Sequence, residues 1–213
     1  MSANSNICQI KTPLFRMAFA NVVEPKLNKK SGQLEYNLVM LFPKSKPEEL
    51  IPFRKAVAAA LEKKWGTKDK YPPKMRGMEL RTHLSPGGDG FPIRDGDLQD
   101  YDGFAGMISV GCKSYDPIPV VDAFRNNITD KRFACSGMIA RAVVNAYGYD
   151  TSGNRGVGFW LLGLQVCKDD GTRYGGAINP QTSFDDFEDP EAVTSAENPD
   201  NYNATGTDAD VPW

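Results

Sequence analysis

The stretch 33–42, QLEYNLVMLF, decides the fold class because its apolar residues alternate along the chain. Alternate side chains of an extended strand point to the same face. One face would therefore carry Leu34, Tyr36, Leu38, Met40 and Phe42, and the other Glu35 and Asn37. This period of two predicts a β-strand that is buried on one side.

A second apolar stretch, 8–23 (CQIKTPLFRMAFANVV), precedes this strand. The polar, basic segment 28–32 (NKKSG) separates the two and contains Asn, Ser and Gly, which favour turns. Two strand-like stretches joined by such a segment predict a β-hairpin.

The one predicted helix follows directly and ends at Trp65. Its apolar residues recur at helical spacing at Leu50, Phe53, Val57, Leu61 and Trp65. Ser45 and Glu48 have the spacing of a capping box, and Gly66 is a natural stop.

Three further strands are predicted at 104–115, 133–147 and 156–167, with a short edge segment at 119–121. In the last strand the pattern is interpreted as sending inward Trp160, Leu162, Leu164 and Val166. We therefore predict a mainly β protein, an OB-fold-like five-stranded Greek-key barrel with one amphipathic helix and a long irregular insertion at about 67–103. A β-sandwich stays open as the alternative, because the helix follows the second strand rather than the third.

Charge divides the chain into two unlike parts. Residues 184–213 contain nine acids and no Lys or Arg, whereas residues 1–183 contain 25 basic and 18 acidic side chains, a net charge of +7. We predict a nucleic-acid-binding domain over 1–183 and a disordered acidic tail over 184–213, because the tail is too polar to bury a core. A basic body with an acidic tail favours a polyanionic partner and a built-in competitor for it.

The sequence offers few residues that could support an enzymatic function. The four cysteines lie far apart and His83 is the only histidine, so no zinc site, catalytic residue, metal site or cofactor is predicted. The cysteines are interpreted as reduced thiols. No apolar run is long enough to span a membrane, and the first residues lack a secretory signal, so we expect a soluble protein that is not exported.

Single-stranded nucleic acid is held by cations that contact phosphates and by aromatic rings on which bases stack. The predicted outward strand face and the loops supply both kinds of side chain. The DNA-binding candidates are Lys29, Lys30, Tyr71, Lys74, Arg81, Lys113, Tyr115, Arg141, Asn145, Tyr147, Tyr149 and Arg155.

The last six residues suggest a second function. Asp208 and Asp210 precede an aliphatic residue, Pro212 and the aromatic Trp213. An aromatic ring can enter an apolar pocket of a partner protein while neighbouring acids steer the encounter. We therefore predict that this tip is a docking peptide.

This ending resembles the Asp-Asp-x-Pro-Phe tip of bacterial single-stranded DNA-binding proteins. The whole chain resembles the tailed-bacteriophage single-stranded DNA-binding proteins, through the start 14–19, the strand from Tyr36 running into the helix that ends at Trp65, and 160–164. The resemblance implies an OB-fold protein without catalysis that coats exposed strands during phage DNA replication and recombination in the cytoplasm of the infected host. It also implies that the tip docks polymerase, helicase or primase, and the insertion favours a monomer or dimer over a tetramer.

Three questions stay open from the sequence. Residues 95–102 carry alternating carboxylates, which suit Mg²⁺ or Ca²⁺, so a metal-dependent DNA-processing nuclease is one alternative. A phage assembly protein that does not bind DNA is the other. Weaker binding of duplex DNA or RNA is also compatible with a basic surface.

Overall fold

The alternating apolar stretch and the one before it form an antiparallel hairpin. Strand β1 spans Gln9–Lys11, β2 spans Phe15–Leu27 and β3 spans Leu34–Pro43. In the turn between β2 and β3, the amide of Asn28 donates to the carbonyl of Gln33 at 2.9 Å. This computed structural model describes residues 7–29, 31–151 and 153–174, so the predictions for Lys30 and for the tail 184–213 lie outside the described residues.

The remaining elements follow in chain order. Helix α1 spans Ile51–Trp65, and short 3₁₀ turns lie at Pro47–Leu50, Lys68–Lys70, Pro73–Met75, Gly96–Leu98 and Lys131–Phe133. The later strands are β4 (Ile93–Asp95), β5 (Met107–Ser114), β6 (Val120–Val121), β7 (Ile139–Thr151) and β8 (Asn154–Lys168).

Five of these strands pair in a closed circuit. Antiparallel pairing joins β2 to β3, β3 to β5, β7 to β8 and β7 to β2. A parallel contact between β5 and β8 closes the ring, with Lys113 opposite Trp160. The three remaining strands are not part of this circuit: β1 pairs with β7, β4 pairs with β5, and β6 pairs with β8. The mainly β, OB-fold-like prediction is therefore confirmed, and the closed circuit disfavours the sandwich.

Helix α1 covers one end of the barrel interior with its apolar face. Phe53 is fully buried, and its ring centroid lies 5.2 Å from that of Phe42 and 5.5 Å from that of Phe159. The helix ends at Gly66, which has a φ of 79°. The predicted capping box is wrong, because a 3₁₀ turn precedes α1 and the residue that caps its start is Leu50, without a side-chain hydrogen bond.

The predicted orientation of β8 is wrong in its first half. Val157, Phe159 and Leu161 are buried, whereas Trp160 is half-buried on the outer face and Leu162 is 43% exposed. A β-bulge causes the difference: Val143 pairs with Gly163 but Val144 pairs with Leu161, so Leu162 is an extra residue in β8. A bulge of one residue exchanges the two faces of a strand beyond it.

The insertion 67–103 is more ordered than predicted. It contributes strand β4, and four of its side chains join the core: Tyr71, Met75, Phe91 and Ile93. All four cysteines are free thiols, as predicted. Within the described residues, no helix is long and apolar enough to cross a membrane.

We expect Phe53→Ala to lower the free energy of unfolding by about 3–5 kcal/mol, because it removes a ring packed on two other buried rings and leaves a cavity. Urea unfolding followed by circular dichroism measures this. Lys55→Ala, on the exposed side of the same helix, should change stability by less than about 0.5 kcal/mol. Equal losses for both variants would contradict the packing described here.

Candidate nucleic-acid interface

The outer face of the barrel carries a groove of about 680 Å³, here called the outer groove. Strands β3, β5, β7 and β8 form its floor, and the end of the insertion and the β7–β8 turn form its walls. Its polar and aromatic lining residues are Phe91, Arg94, Gln99, Ser109, Lys113, Tyr115, Tyr147, Tyr149, Thr151, Asn154 and Trp160. Among the described residues, no carboxylate lines it.

Four aromatic rings form a continuous row in the outer groove. Tyr147 and Trp160 are stacked, with ring centroids 4.3 Å apart and planes inclined by 12°. Tyr115 contacts Trp160 edge-on at 5.4 Å, and Tyr149 lies 6.3 Å from Tyr147. The row therefore crosses from β5 over β8 to β7, and Tyr115 at one end is 44% exposed.

Two glycines of β8 make room for this row. A Cβ at Gly158 would lie 2.9 Å from the hydroxyl of Tyr147, and one at Gly156 would lie 2.7 Å from the hydroxyl of Tyr149. The hydroxyl ends of the two tyrosines therefore reach over the backbone of β8, and at Gly156 the backbone of Gly90 approaches as well, which a larger residue would prevent.

The cations of the outer groove lie beside the rings. The Nζ of Lys113 is 3.0 Å from the hydroxyl of Tyr115 and 3.3 Å from a carboxylate oxygen of Glu35. Desolvation by itself lowers the pKa of Lys113, but the hydrogen bond to Tyr115 and the charge of Glu35 raise it overall. The side chain of Arg94, on β4, is exposed at the groove wall. Both side chains can meet an anionic ligand.

The two tyrosines of β7 in this row, Tyr147 and Tyr149, remain neutral at physiological pH. Desolvation by burial raises the pKa of Tyr147, and it also raises the pKa of Tyr149. The groove floor therefore offers uncharged aromatic faces that do not repel a polyanion. This arrangement suits a ligand that combines flat rings with negative charge.

The structure brings together part of the predicted set. Lys113, Tyr115, Tyr147 and Tyr149 line the outer groove. Asn145 lies opposite Trp160 in the β7–β8 pairing, next to the groove lining.

The other predicted residues lie elsewhere. Arg141 donates to Gln165 at 2.7 Å, and Arg155 pairs with Asp150 and lies over the ring of Trp65. The positions of the rest are the β2–β3 turn for Lys29, the exposed face of the insertion for Lys74 and Arg81, and the core for Tyr71. Tyr71 is 9% exposed, so its ring is not available for stacking and that part of the prediction is corrected.

Sequence reasoning missed Trp160, the centre of the aromatic row, because it assigned this side chain to the interior. A signal was present in the sequence. Gly156, Gly158 and Trp160 occupy alternate positions, while Val157, Phe159 and Leu161 occupy the positions between them. Glycines on one face of a strand indicate close approach of another group on that face. Arg94 carried no comparable signal.

The acidic turn 95–102 is held by a cation of the chain itself. The Nζ of Lys44 contacts a carboxylate oxygen of Asp95 and lies 2.5 Å from one of Asp97. Asp97 also accepts a hydrogen bond from the amide of Gly106 at 2.6 Å. Lys44 thus occupies the position between two carboxylates where the nuclease alternative requires a metal ion.

Sequence comparison finds a matching family model and a similar phage protein. A family model described as the ssDNA-binding protein of Enterobacter phage Enc34 matches residues 8–194. Protein p50 of Acyrthosiphon pisum secondary endosymbiont phage 1 is 29% identical over 181 residues, which cover 84% of this chain and 94% of p50.

Solved structures share the fold. The single-stranded DNA-binding protein from bacteriophage Enc34 in complex with ssDNA aligns with a TM-score of 0.56 at 17% identity, over 76% of this chain and 88% of that chain. The single-stranded DNA-binding protein gp2.5 of bacteriophage T7 aligns with a TM-score of 0.53 at 13% identity, over 88% and 98% of the two chains.

We expect Asp97→Asn to destabilise the protein at neutral pH but not in acid. Its hydrogen bond from Lys44, followed by that from Gly106, lowers the pKa of Asp97 from 3.8. Stability from a lowered carboxyl pKa is present above the unfolded value and is lost as the pH falls through the folded value. Urea midpoints of the two proteins should therefore differ at pH 7 and converge as the pH falls below 3.8 and through the lowered pKa of Asp97. Asp100→Asn, in the same turn, is the control; a difference for Asp97→Asn that persists in acid would contradict the ion pair.

Proposed function

Because the chain belongs to the Enterobacter phage Enc34 ssDNA-binding protein family, we propose that it coats and protects exposed single strands of DNA, without regard to sequence, during phage DNA replication and recombination. The protein acts as a binder and not as an enzyme. The observation that carries this proposal is the row of four aromatic rings between Lys113 and Arg94 in the outer groove.

Stacking is the first component of binding. Each base that stacks on an aromatic side chain contributes about 1–3 kcal/mol, and every base has a ring face to offer. We assign stacking to Tyr115, which stands at the exposed end of the row, and to Trp160, which is half-buried between Tyr115 and Tyr147. Recognition through ring faces explains why no particular sequence is required.

Phosphate contacts are the second component. Lys113 and Arg94 lie beside the rings, so a strand whose bases stack on the row places its phosphates within their reach. Release of counterions then makes affinity fall with salt, by about 0.7 in the slope of log K against log salt for each phosphate contacted. Lys29, Lys74, Arg81, Arg141, Asn145 and Arg155 stay predictions as further contacts.

The acidic segment 184–213 is the third component. Its nine acids and the absence of Lys and Arg make it a polyanion that can compete with DNA for a cationic groove. We assign to Asp208, Asp210, Pro212 and Trp213 the docking of replication proteins such as polymerase, helicase or primase. The protein would act in the cytoplasm of the infected bacterium as a monomer or dimer.

Replacing Trp160 tests the groove. We expect Trp160→Ala to weaken binding of labelled dT oligonucleotide by about 1–3 kcal/mol, which is roughly fivefold to 150-fold in Kd. The salt slope should stay unchanged, because no phosphate contact is lost. Fluorescence anisotropy measures both quantities, with duplex of equal length as a second ligand.

The matched control is Leu162→Ala, since Leu162 is exposed on the same strand and does not line the outer groove. Its affinity for dT should equal that of the unaltered protein. Equal weakening by both variants would assign stacking to another surface, and absence of binding by the unaltered protein at low salt would favour the assembly protein.

Removing residues 184–213 tests whether the acidic segment competes with DNA for the outer groove. A chain ending at Ser183 should bind dT more tightly than the full chain at low salt, because the competing carboxylates are gone. The difference should shrink as added salt screens the charges. Weaker binding after truncation would contradict the competition.

A further inference from the structure

A second concavity, here called the helix pocket, lies along the outer side of α1 and has a volume of about 900 Å³. The helix contributes Ile51, Arg54, Lys55 and Ala58, and the insertion contributes residues between Lys68 and Arg81. The helix pocket and the outer groove have no lining residue in common. The helix pocket is therefore separate from the outer groove, although Lys74 and Arg81 in the same part of the insertion stay predicted DNA contacts.

The floor of the helix pocket is apolar. Ile51 is 49% exposed although it is a large aliphatic residue, and Met78 and Leu80 are half-buried beside it. Tyr71 and Met75 close the bottom from the core side. Such a floor can accept one large apolar side chain of a ligand.

The rim of the helix pocket is basic. Five cations line it, against one acid, Glu79: Arg54, Lys55, Lys68, Arg76 and Arg81. Within the described residues, no ion pair shorter than 4.0 Å engages any of the five, although the charge of Arg76 acts on Asp69. The site therefore has an excess of positive charge that its own surroundings do not neutralise.

The walls of the helix pocket are held in place by two of these cations. An Nη1 of Arg54 donates to the carbonyls of Leu80 and His83, at 2.9 Å each. Arg76 donates to the carbonyl of Tyr71 at 2.8 Å. Desolvation by burial lowers the pKa of Arg54, so an anion beside this guanidinium would be favoured. These hydrogen bonds hold the walls of the helix pocket in place without a ligand.

We propose that the helix pocket binds the segment Asp208–Trp213 of a second copy of this chain. The segment combines two carboxylates, Asp208 and Asp210, with the apolar run Val211-Pro212-Trp213. This is the complement of a basic rim around an apolar floor. The indole of Trp213 lies on Ile51 and Met78, and the carboxylates meet the rim cations.

When DNA occupies the outer groove, the acidic segment of one copy is free to bind the helix pocket of another. The release of the segment rests on the proposed function, in which DNA displaces it from the outer groove. Neighbouring copies on one strand then face each other at a high effective concentration, which allows a weak peptide contact to link them. Without DNA the outer groove competes with the helix pocket for the segment, which weakens the pairing but does not abolish it. The pairing can therefore be tested without DNA at high protein concentration.

The first experiment uses a fluorescein-labelled peptide of residues 204–213. It is titrated with full-length protein carrying Trp213→Ala, which removes competition from the protein's own copy of the segment. We expect saturable binding that Ile51→Glu and Lys55→Glu each weaken by about tenfold, because each removes a favourable contact and adds repulsion of the peptide carboxylates. Lys131→Glu, a charge reversal at an exposed lysine paired with Glu24 elsewhere, should leave peptide binding unchanged.

The same variants separate this proposal from the DNA-binding function. Ile51→Glu and Lys55→Glu should keep the affinity for dT within about twofold, whereas Trp160→Ala should lose affinity for dT and keep it for the peptide. Absence of peptide binding, or equal loss with Lys131→Glu, overturns the helix pocket as a site while leaving DNA binding intact.

The second experiment tests whether the contact forms between copies. Full-length Ile51→Glu, with an intact segment, is mixed with full-length Trp213→Ala, with an intact helix pocket, and mass is measured by sedimentation velocity. We expect each variant alone to be monomeric and the mixture to form a heterodimer. A mixture that stays monomeric while the unaltered chain is also monomeric overturns docking in a second copy.

Discussion

The parallel contact between β5 and β8 is the constraint on which the rest of the structure depends. It places Lys113 opposite Trp160, and it closes a circuit of five strands that would otherwise leave two open edges. The same contact brings the cation and the aromatic ring together on the outer face. The pairing that closes the barrel therefore also sets the positions of Lys113 and Trp160 in the outer groove.

The β-bulge at Leu162 makes this possible. On one side of the bulge β8 buries Phe159 and Leu161, and on the other it buries Leu164 and Val166, so both halves supply the interior although their spacing differs by one residue. Because the bulge exchanges the two faces of β8, the side chain of Trp160 lies on the outer face of the barrel. A regular strand without the bulge could not bury all four of these residues on one face, because the two pairs differ in spacing by one residue.

Positive charge is divided between two surfaces with different surroundings. In the outer groove, Lys113 and Arg94 accompany aromatic rings that are suited to bases. In the helix pocket, Arg54 and Lys55 surround an aliphatic floor that is suited to one apolar side chain. In the two proposals made above, the net charge of +7 over residues 1–183 would attract two kinds of anion, and the neighbouring apolar groups would distinguish them.

The amino-acid sequence was enough to predict the mainly β class, the hairpin, and the position of α1 with its stop at Gly66, because period, spacing and turn residues act locally. It also determined the separation of charge and the ring candidates Tyr115, Tyr147 and Tyr149. Other features follow only from the folded chain: Trp160 faces outward, Tyr71 is buried, Lys44 pairs with Asp95 and Asp97, and the insertion forms the wall of the helix pocket. Each of these depends on a bulge or on contacts between residues far apart in the chain. Only the orientation of Trp160 left a local signal, the alternating glycines Gly156 and Gly158.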